Sequence, residues 1–249
     1  MKKSNRYSSS EGKEVWNQLE IIHSLGHSLS TVFSDWLDLM LNALLSMNDN
    51  MRRGNQLGQF DGQYEDRYMA IIKRYNNDRP RGKRPADYFA NAWVLLYKET
   101  AEKEKDTLGT IYEERITFGE NGQFFTPAHI ADAMAKMIIK GSLKPNQTVC
   151  DPCCGSGRML LSAAKECPEA IFYGTDIDNR CAKMAVINMF LFDLNADIYW
   201  GNTLTMEFWK RWVIRKGGYV VELECKEEEG QQEHRPIPKA GSFQLELTL

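Results

Sequence analysis

Apolar residues along the first part of the chain recur at helical spacing. Trp16, Leu19, Ile22, Leu25 and Leu29, then Leu37, Leu41, Leu44 and Leu45, step by three and four, which places each set on one helix face. The pattern predicts two helices between Val15 and Met47, meeting near Ser30 or Ser34. Asn48 to Asp66, rich in Asn, Gly and Gln, reads as a loop. Further helices are expected over Tyr64–Tyr75 and Ala86–Lys103, the second with Tyr88, Phe89, Trp93 and Tyr97 as aromatic anchors. Near Asp106 the period changes, and strand-like and helix-like pieces alternate as in α/β folds. Thr148-Val149-Cys150 ends a first strand and Arg158–Cys167 follows as a helix, closed by Pro168. Ala170–Thr175 reads as a buried second strand, Asn179–Leu194 as a helix and Ala196–Trp200 as a third strand. Tyr219–Glu224 and Phe243–Thr248 are expected to form an antiparallel pair. The expected organisation is an α-helical N-terminal region, 1–105, before an α/β domain, 106–249.

Composition narrows the class without naming a function. The 43% hydrophobic and 26% charged content is that of a globular protein and excludes a disordered chain. A net charge of -3 argues against a nucleic-acid-coating protein but leaves room for a local basic face. No apolar run reaches the ~18 residues of a membrane span, and Met1–Ser10 has no secretory core. A cytoplasmic protein with no membrane partner is expected. Cys150-x-x-Cys153 has zinc-like spacing, yet no second pair or nearby histidine completes a site, so no metal is expected and the six cysteines read as mostly buried thiols. His23 and His27 stand at i, i+4 and read as core or surface residues. Lys73 to Pro85 holds six basic residues against one acid. Two readings stay open there: Arg79, Arg81, Lys83 and Arg84 contact DNA phosphates, or the loop is simply solvated.

The chemistry-bearing residues lie at three successive strand ends. Asp151-Pro152-Cys153-Cys154-Gly155-Ser156-Gly157 joins the first strand to a helix, and its glycines permit a sharp turn and close approach to a ligand. Asp176, in Gly174-Thr175-Asp176-Ile177-Asp178, ends the second strand, where a carboxylate can accept from a ribose diol. Asp178 is a candidate N-cap of the next helix. Asn202 ends the third strand with an acceptor and a donor that suit an adenine edge. Ligands of open parallel sheets bind at such carboxyl ends. A dinucleotide loop of the form G-x-G-x-x-G lacks its third glycine here, because Arg158-Met159-Leu160 follow Gly157, and the acid before the loop favours a cationic ligand over a pyrophosphate.

Together with Gly122-Gln123-Phe124-Phe125-Thr126-Pro127 and the approach Leu108-Gly109-Thr110-Ile111-Tyr112-Glu113, these motifs resemble the adenine-N6 DNA methyltransferases, particularly the modification subunits of type I restriction systems. The resemblance runs from Asp106 to Leu204. It implies a Rossmann-like class I methyltransferase fold with S-adenosylmethionine as ligand, and DNA as partner in restriction–modification. It places Phe125, Thr126 and Pro127 beside the methionine part, and Asp151, Cys153, Gly155 and Gly157 around the loop beneath it. Asp176 would take the ribose hydroxyls, Ile177 would lie on the adenine face, and Asn202 would replace the family's usual Asp at the adenine amine. The family's catalytic Asn/Asp-Pro-Pro-aromatic motif follows its fourth strand and holds a flipped base. No Pro-Pro pair occurs in these 249 residues, and Pro236 and Pro238 are separated by Ile237. A truncated sheet is expected, in an S-adenosylmethionine-binding protein that is non-catalytic or depends on a partner protein supplying catalytic or target-recognition parts. An active reduced methyltransferase is the alternative, and one acting on RNA or protein a more distant one. Asn188, Asn195 and Tyr219 are the polar or aromatic candidates for unorthodox catalysis.

Overall fold

The computed structural model describes residues 11–52, 62–75, 78–117, 125–139, 141 and 143–225. The N-terminal part is helical: α1 (Lys13–His23), α2 (Leu29–Arg52), α3 (Gln63–Ile72), α4 (Pro85–Lys103) and the short α5 (Thr107–Ile111), which widens into a helical turn over Tyr112–Thr117. Then come α6 (Ala128–Ile139), β1 (Thr148–Asp151), α7 (Arg158–Glu166), β2 (Ile171–Asp176), α8 (Asn179–Leu191), β3 (Asn195–Asn202), β4 (Glu207–Arg215) and β5 (Tyr219–Glu224). The described strands make one mixed sheet in the order β1-β2-β3-β4-β5. β1, β2 and β3 run parallel, linked by α7 and α8, while β4 and β5 close antiparallel. The result is a Rossmann-like βαβαβ unit carrying an antiparallel hairpin.

Side-chain alternation explains which sheet face is buried. Phe172, Ala196, Ile198, Trp212, Ile214 and Val220 form one apolar cluster with α7, α8 and Leu41 and Leu45 of α2. A second cluster joins α1, α2 and α4 to Cys181, Met184 and Ile187 of α8. α2 and α8 thus serve both clusters, one helix face each, and pack against one another. On the opposite sheet face the fully buried Asp197 carboxylate accepts from Arg211 and Arg215.

Several sequence expectations need correction. α1 ends at His23 and α2 begins at Leu29, so the helix junction precedes Ser30. His23 and His27 therefore share no helix face: His23 Nδ1 lies 2.6 Å from the His27 carbonyl, and the His27 ring packs on Tyr75. α2 continues through Asn48, where a loop was expected. The Asn48 amide donates to Leu44 O (2.9 Å) and to Gly218 O (3.2 Å) in the β4–β5 turn, so a tertiary contact outweighs weak helix propensity. β4 was not anticipated because Lys210, Arg211 and Arg215 obscure its alternation. Those cations are satisfied by acids on neighbouring strands: Glu222 and Glu224 for Lys210, Asp197 for both arginines. Tyr219–Glu224 accordingly pairs with β4, and Phe243–Thr248 lies outside the described residues. The cysteines divide evenly: Cys154, Cys167 and Cys181 are buried, whereas Cys150 and Cys153 are exposed and Cys225 is half-buried. Cys150 is exposed because β1 pairs only with β2 among the described strands.

Candidate functional site

The carboxyl ends of β1, β2 and β3 lie side by side, and hydrogen bonds stitch them together. The Cys154 N–H donates to Thr175 O (2.9 Å) at the end of β2. The Thr203 hydroxyl donates to Pro152 O (2.8 Å), joining the end of β3 to the loop after β1. Trp200 Nε1 donates to Ile177 O (3.1 Å). Asp151, Asp176, Ile177 and Asn202 are thereby gathered around the loop Cys153–Gly157.

Two glycines shape that loop, with φ of 55° at Gly155 and 84° at Gly157, values that disfavour any residue with a Cβ. A Cβ at Gly155 would come within 2.9 Å of the Phe125 ring, so the aromatic residue lies directly over the turn. Gly157 sits against Ala185 and Met189 of α8. Phe125 thus lies against the loop and Thr126 O accepts from Arg158 Nη1 just after it, while Gly122, Gln123 and Phe124 lie outside the described residues. Phe125 stacks on Tyr112, with ring centroids 5.9 Å apart, and the Arg158 guanidinium lies 5.6 Å from the Phe125 ring centre.

The acids fix the loop and charge it. Asp176 accepts from the N–H groups of Gly155 and Asp178, each at 2.8 Å. Burial pushes its carboxyl above the ordinary range despite those donors, and the charges of Asp178 and Asp151 push the same way. Burial also raises Asp151, against the N–H of Cys153 at 3.1 Å. Two partly buried carboxylates beside one loop put negative charge at the strand ends, which suits a cation and repels a pyrophosphate. Asp178 caps α8 by accepting from Arg180 N. Ile177 stands 61% exposed beside Asp176, an apolar surface at the strand end. Asn202 differs from the sequence picture. Its Oδ1 already accepts from Leu204 N (3.0 Å) and Thr205 N (3.4 Å), so the carbonyl closes the β3–β4 turn and only the amide hydrogens face away from it.

The other candidates separate by environment. Arg79, Arg81 and Lys83 are exposed. Arg84 instead forms two hydrogen bonds to Asp87 (2.8 and 2.9 Å), whose carboxylate also accepts from the N–H groups of Gly82 and Arg84 at the start of α4. Asn188 is buried and bonded, so it is structural rather than reactive. Asn195 accepts from Lys216 N. Among the described residues no group of three His, Cys, Asp or Glu could hold a metal, and no helix is long and apolar enough to cross a membrane. A cavity of about 370 Å³ opens between α2, α3, the start of α8 and the β4–β5 hairpin. Its Arg67, Arg74, Lys183 and Lys210 are already paired with Glu222, Asp35 and Asp38.

Sequence reasoning overlooked Asp106 and the role of Arg158. Asp106 caps α5 by accepting from Gly109 N, and the spacing Asp106-x-x-Gly109 was the available signal.

Comparison with known proteins finds relatives for the segment that carries this site. Residues 103–222 match the N-6 DNA Methylase family. The segment from the end of α4 into β5 is thus similar to that family. It is 24% identical over 185 residues to the type I restriction enzyme MpnII methylase subunit of Mycoplasma pneumoniae, covering 66% of this chain and 34% of that protein. It is 28% identical over 144 residues to the type II restriction enzyme and methyltransferase RM.BcgI of Heyndrickxia coagulans, covering 49% and 22%. The chain thus spans about a third or less of these curated relatives. A solved type I restriction–modification methyltransferase subunit from Streptococcus thermophilus aligns over 74% of this chain and 55% of its own, at 16% identity and a TM-score of 0.38.

The raised carboxyl of Asp151 gives a pH prediction. A carboxyl that holds its proton more tightly in the folded state stabilises the fold below the ordinary value of about 4, and that contribution is lost as pH rises through the folded value. Asp151→Asn is therefore expected to be more stable than the parent chain at pH 7, with the difference closing below about pH 4. Urea unfolding across that range measures it, and a pH-independent difference would contradict the assignment.

Proposed function

We propose that this chain binds S-adenosylmethionine at the ends of β1, β2 and β3 and acts in adenine-N6 DNA modification within a restriction–modification system. The observation that carries the reading is the acid-flanked glycine loop: Asp151 and Asp176 flank a turn whose Gly155 leaves no room for a side chain beneath Phe125. A sulfonium cation with an adenosine tail fits that donor set better than a dinucleotide does. Asp176 would accept from the ribose hydroxyls with its remaining lone pairs. Ile177 would cover one adenine face. Asn202, its carbonyl committed to the turn, would present amide hydrogens to a ring nitrogen of the adenine. Phe125, Thr126 and Pro127 would wall the methionine end, and Cys153 would lie beside the loop. When bound, the cofactor supplies an electrophilic methyl group.

The base-holding step is assigned to groups outside these 249 residues. The 249 residues contain no Pro-Pro pair, and β1 has no second neighbour among the described strands. The type I relatives are described as methylase subunits, which supports a partner protein that supplies the base-holding motif or the target-recognition part. A tritiated-methyl assay on adenine-containing duplexes tests this. The expected result is cofactor retained by the chain without transfer to DNA. Robust transfer by the purified chain alone would remove the partner requirement, and neither binding nor transfer would remove the whole reading.

The exposed Arg79, Arg81 and Lys83 are assigned to DNA phosphates, whereas Arg84 holds the start of α4. Replacing the first three with alanine should lower the slope of log K against log salt by about 1 to 3 units, measured by fluorescence anisotropy of a labelled duplex. An unchanged slope would return the loop to a solvated role.

A further inference from the structure

One buried carboxylate outside the expected ligand set touches every part of the loop's support. Asp106 is 6% exposed. Its Oδ1 accepts from Gly109 N and from Asn188 Nδ2, both at 2.8 Å. Its Oδ2 accepts from the Ser156 hydroxyl at 2.5 Å and Arg158 Nε at 2.9 Å. Each oxygen therefore takes two donors, and the donors come from α5, the glycine loop, α7 and α8. Asn188 also donates to Ser156 O (2.8 Å), so the loop residue between Gly155 and Gly157 is gripped through both its hydroxyl and its carbonyl. Arg158 extends the grip: its Nη1 donates to Thr126 O (3.1 Å) and to Glu113 (3.3 Å), and its guanidinium lies over Phe125. Gly109 leaves the space this requires, since a Cβ there would overlap the Asp106 carboxylate and the Ser156 hydroxyl.

From this convergence we infer that Asp106 is a positioning residue of the cofactor site. Its charge holds Ser156 and Arg158 in the conformation that lets Gly155 and Gly157 make the turn, and Arg158 in turn seats Phe125–Thr126 against the loop. Asp106 itself is too enclosed to touch a ligand and acts through these neighbours. The inference rests on the S-adenosylmethionine reading and adds a determinant 45 residues upstream of Asp151 (151 − 106). Asp106→Asn keeps the shape but turns a donor towards Arg158 Nε, which needs an acceptor.

The test compares two isosteric changes at buried, arginine-paired carboxylates. Asp106→Asn alters the loop's support. Asp197→Asn, on the sheet face opposite the helices, alters a carboxylate bonded to Arg211 and Arg215. S-adenosylmethionine is titrated into each full-length chain by calorimetry, well below the melting temperature of both variants. The expected result is roughly tenfold or greater weakening for Asp106→Asn, with Asp197→Asn close to the parent chain. Amide hydrogen exchange at Gly155, Ser156 and Gly157 should accelerate selectively in Asp106→Asn. Ser156→Ala, which removes one donor and leaves the ion pair, provides a milder variant should Asp106→Asn not fold, and is expected to weaken affinity and speed loop exchange in the same direction. Equal affinities for parent and Asp106→Asn chains, or for parent and Ser156→Ala chains if Asp106→Asn does not fold, would overturn the inference while leaving the cofactor reading intact. So would equal losses in Asp106→Asn and Asp197→Asn, because a merely structural effect predicts that. A parent chain that binds no S-adenosylmethionine would remove both.

Discussion

The buried Asp106 carboxylate is the joint on which the rest of the molecule depends. A carboxylate withdrawn from water is costly unless donors surround it. Here four donors do so, from α5, the glycine loop, α7 and α8. This one ion ties the helical N-terminal region to the βαβαβ unit at the glycine loop. The apolar clusters meet through α2 and α8, but packing alone does not set the conformation of a glycine loop. Directional bonds do, and they converge on Asp106 from one side and on Asp176 from the other.

The site follows from a conflict that the fold sustains. Asp151 and Asp176 are held close together and partly out of water, and burial raises both carboxyls. Without a ligand this arrangement costs stability; with a cation beside the loop it is compensated. Buried, like-charged carboxyls of this kind cluster at functional sites, so the presence of the pair at the strand ends is itself a functional signal. The strand-end motifs lie inside the segment 103–222 that is similar to the N-6 DNA Methylase family.

Much of the site was legible in the sequence because each part is local. Glycines at 155 and 157, an acid at 176 and a capping acid at 178 are dictated by turn geometry and strand-end chemistry over a few residues. β2 and β3 were readable from their short apolar runs, and the exposed β1 from the glycine turn that follows it. What escaped detection depends on distant partners. β4 looks like a basic loop until Asp197, Glu222 and Glu224 are placed beside it. α2 extends through Asn48 because Gly218, far along the chain, accepts a hydrogen bond. Asn202 offered an adenine-like edge in sequence, yet its carbonyl is spent within its own turn. Asp106 read as a boundary between helical and α/β texture, although its four donors lie up to 82 residues away.

The central claim is that the loop between β1 and α7, clasped by Asp176, is an S-adenosylmethionine cradle. Calorimetric titration of S-adenosylmethionine into the parent chain and Asp176→Ala tests it most directly. Loss of the carboxylate removes the proposed ribose acceptor together with the bond from Gly155 N, so saturable binding by the parent and none by the variant is the predicted result. Equal affinity in the two proteins would contradict the account, because the ligand would then bind without the residue that shapes its site.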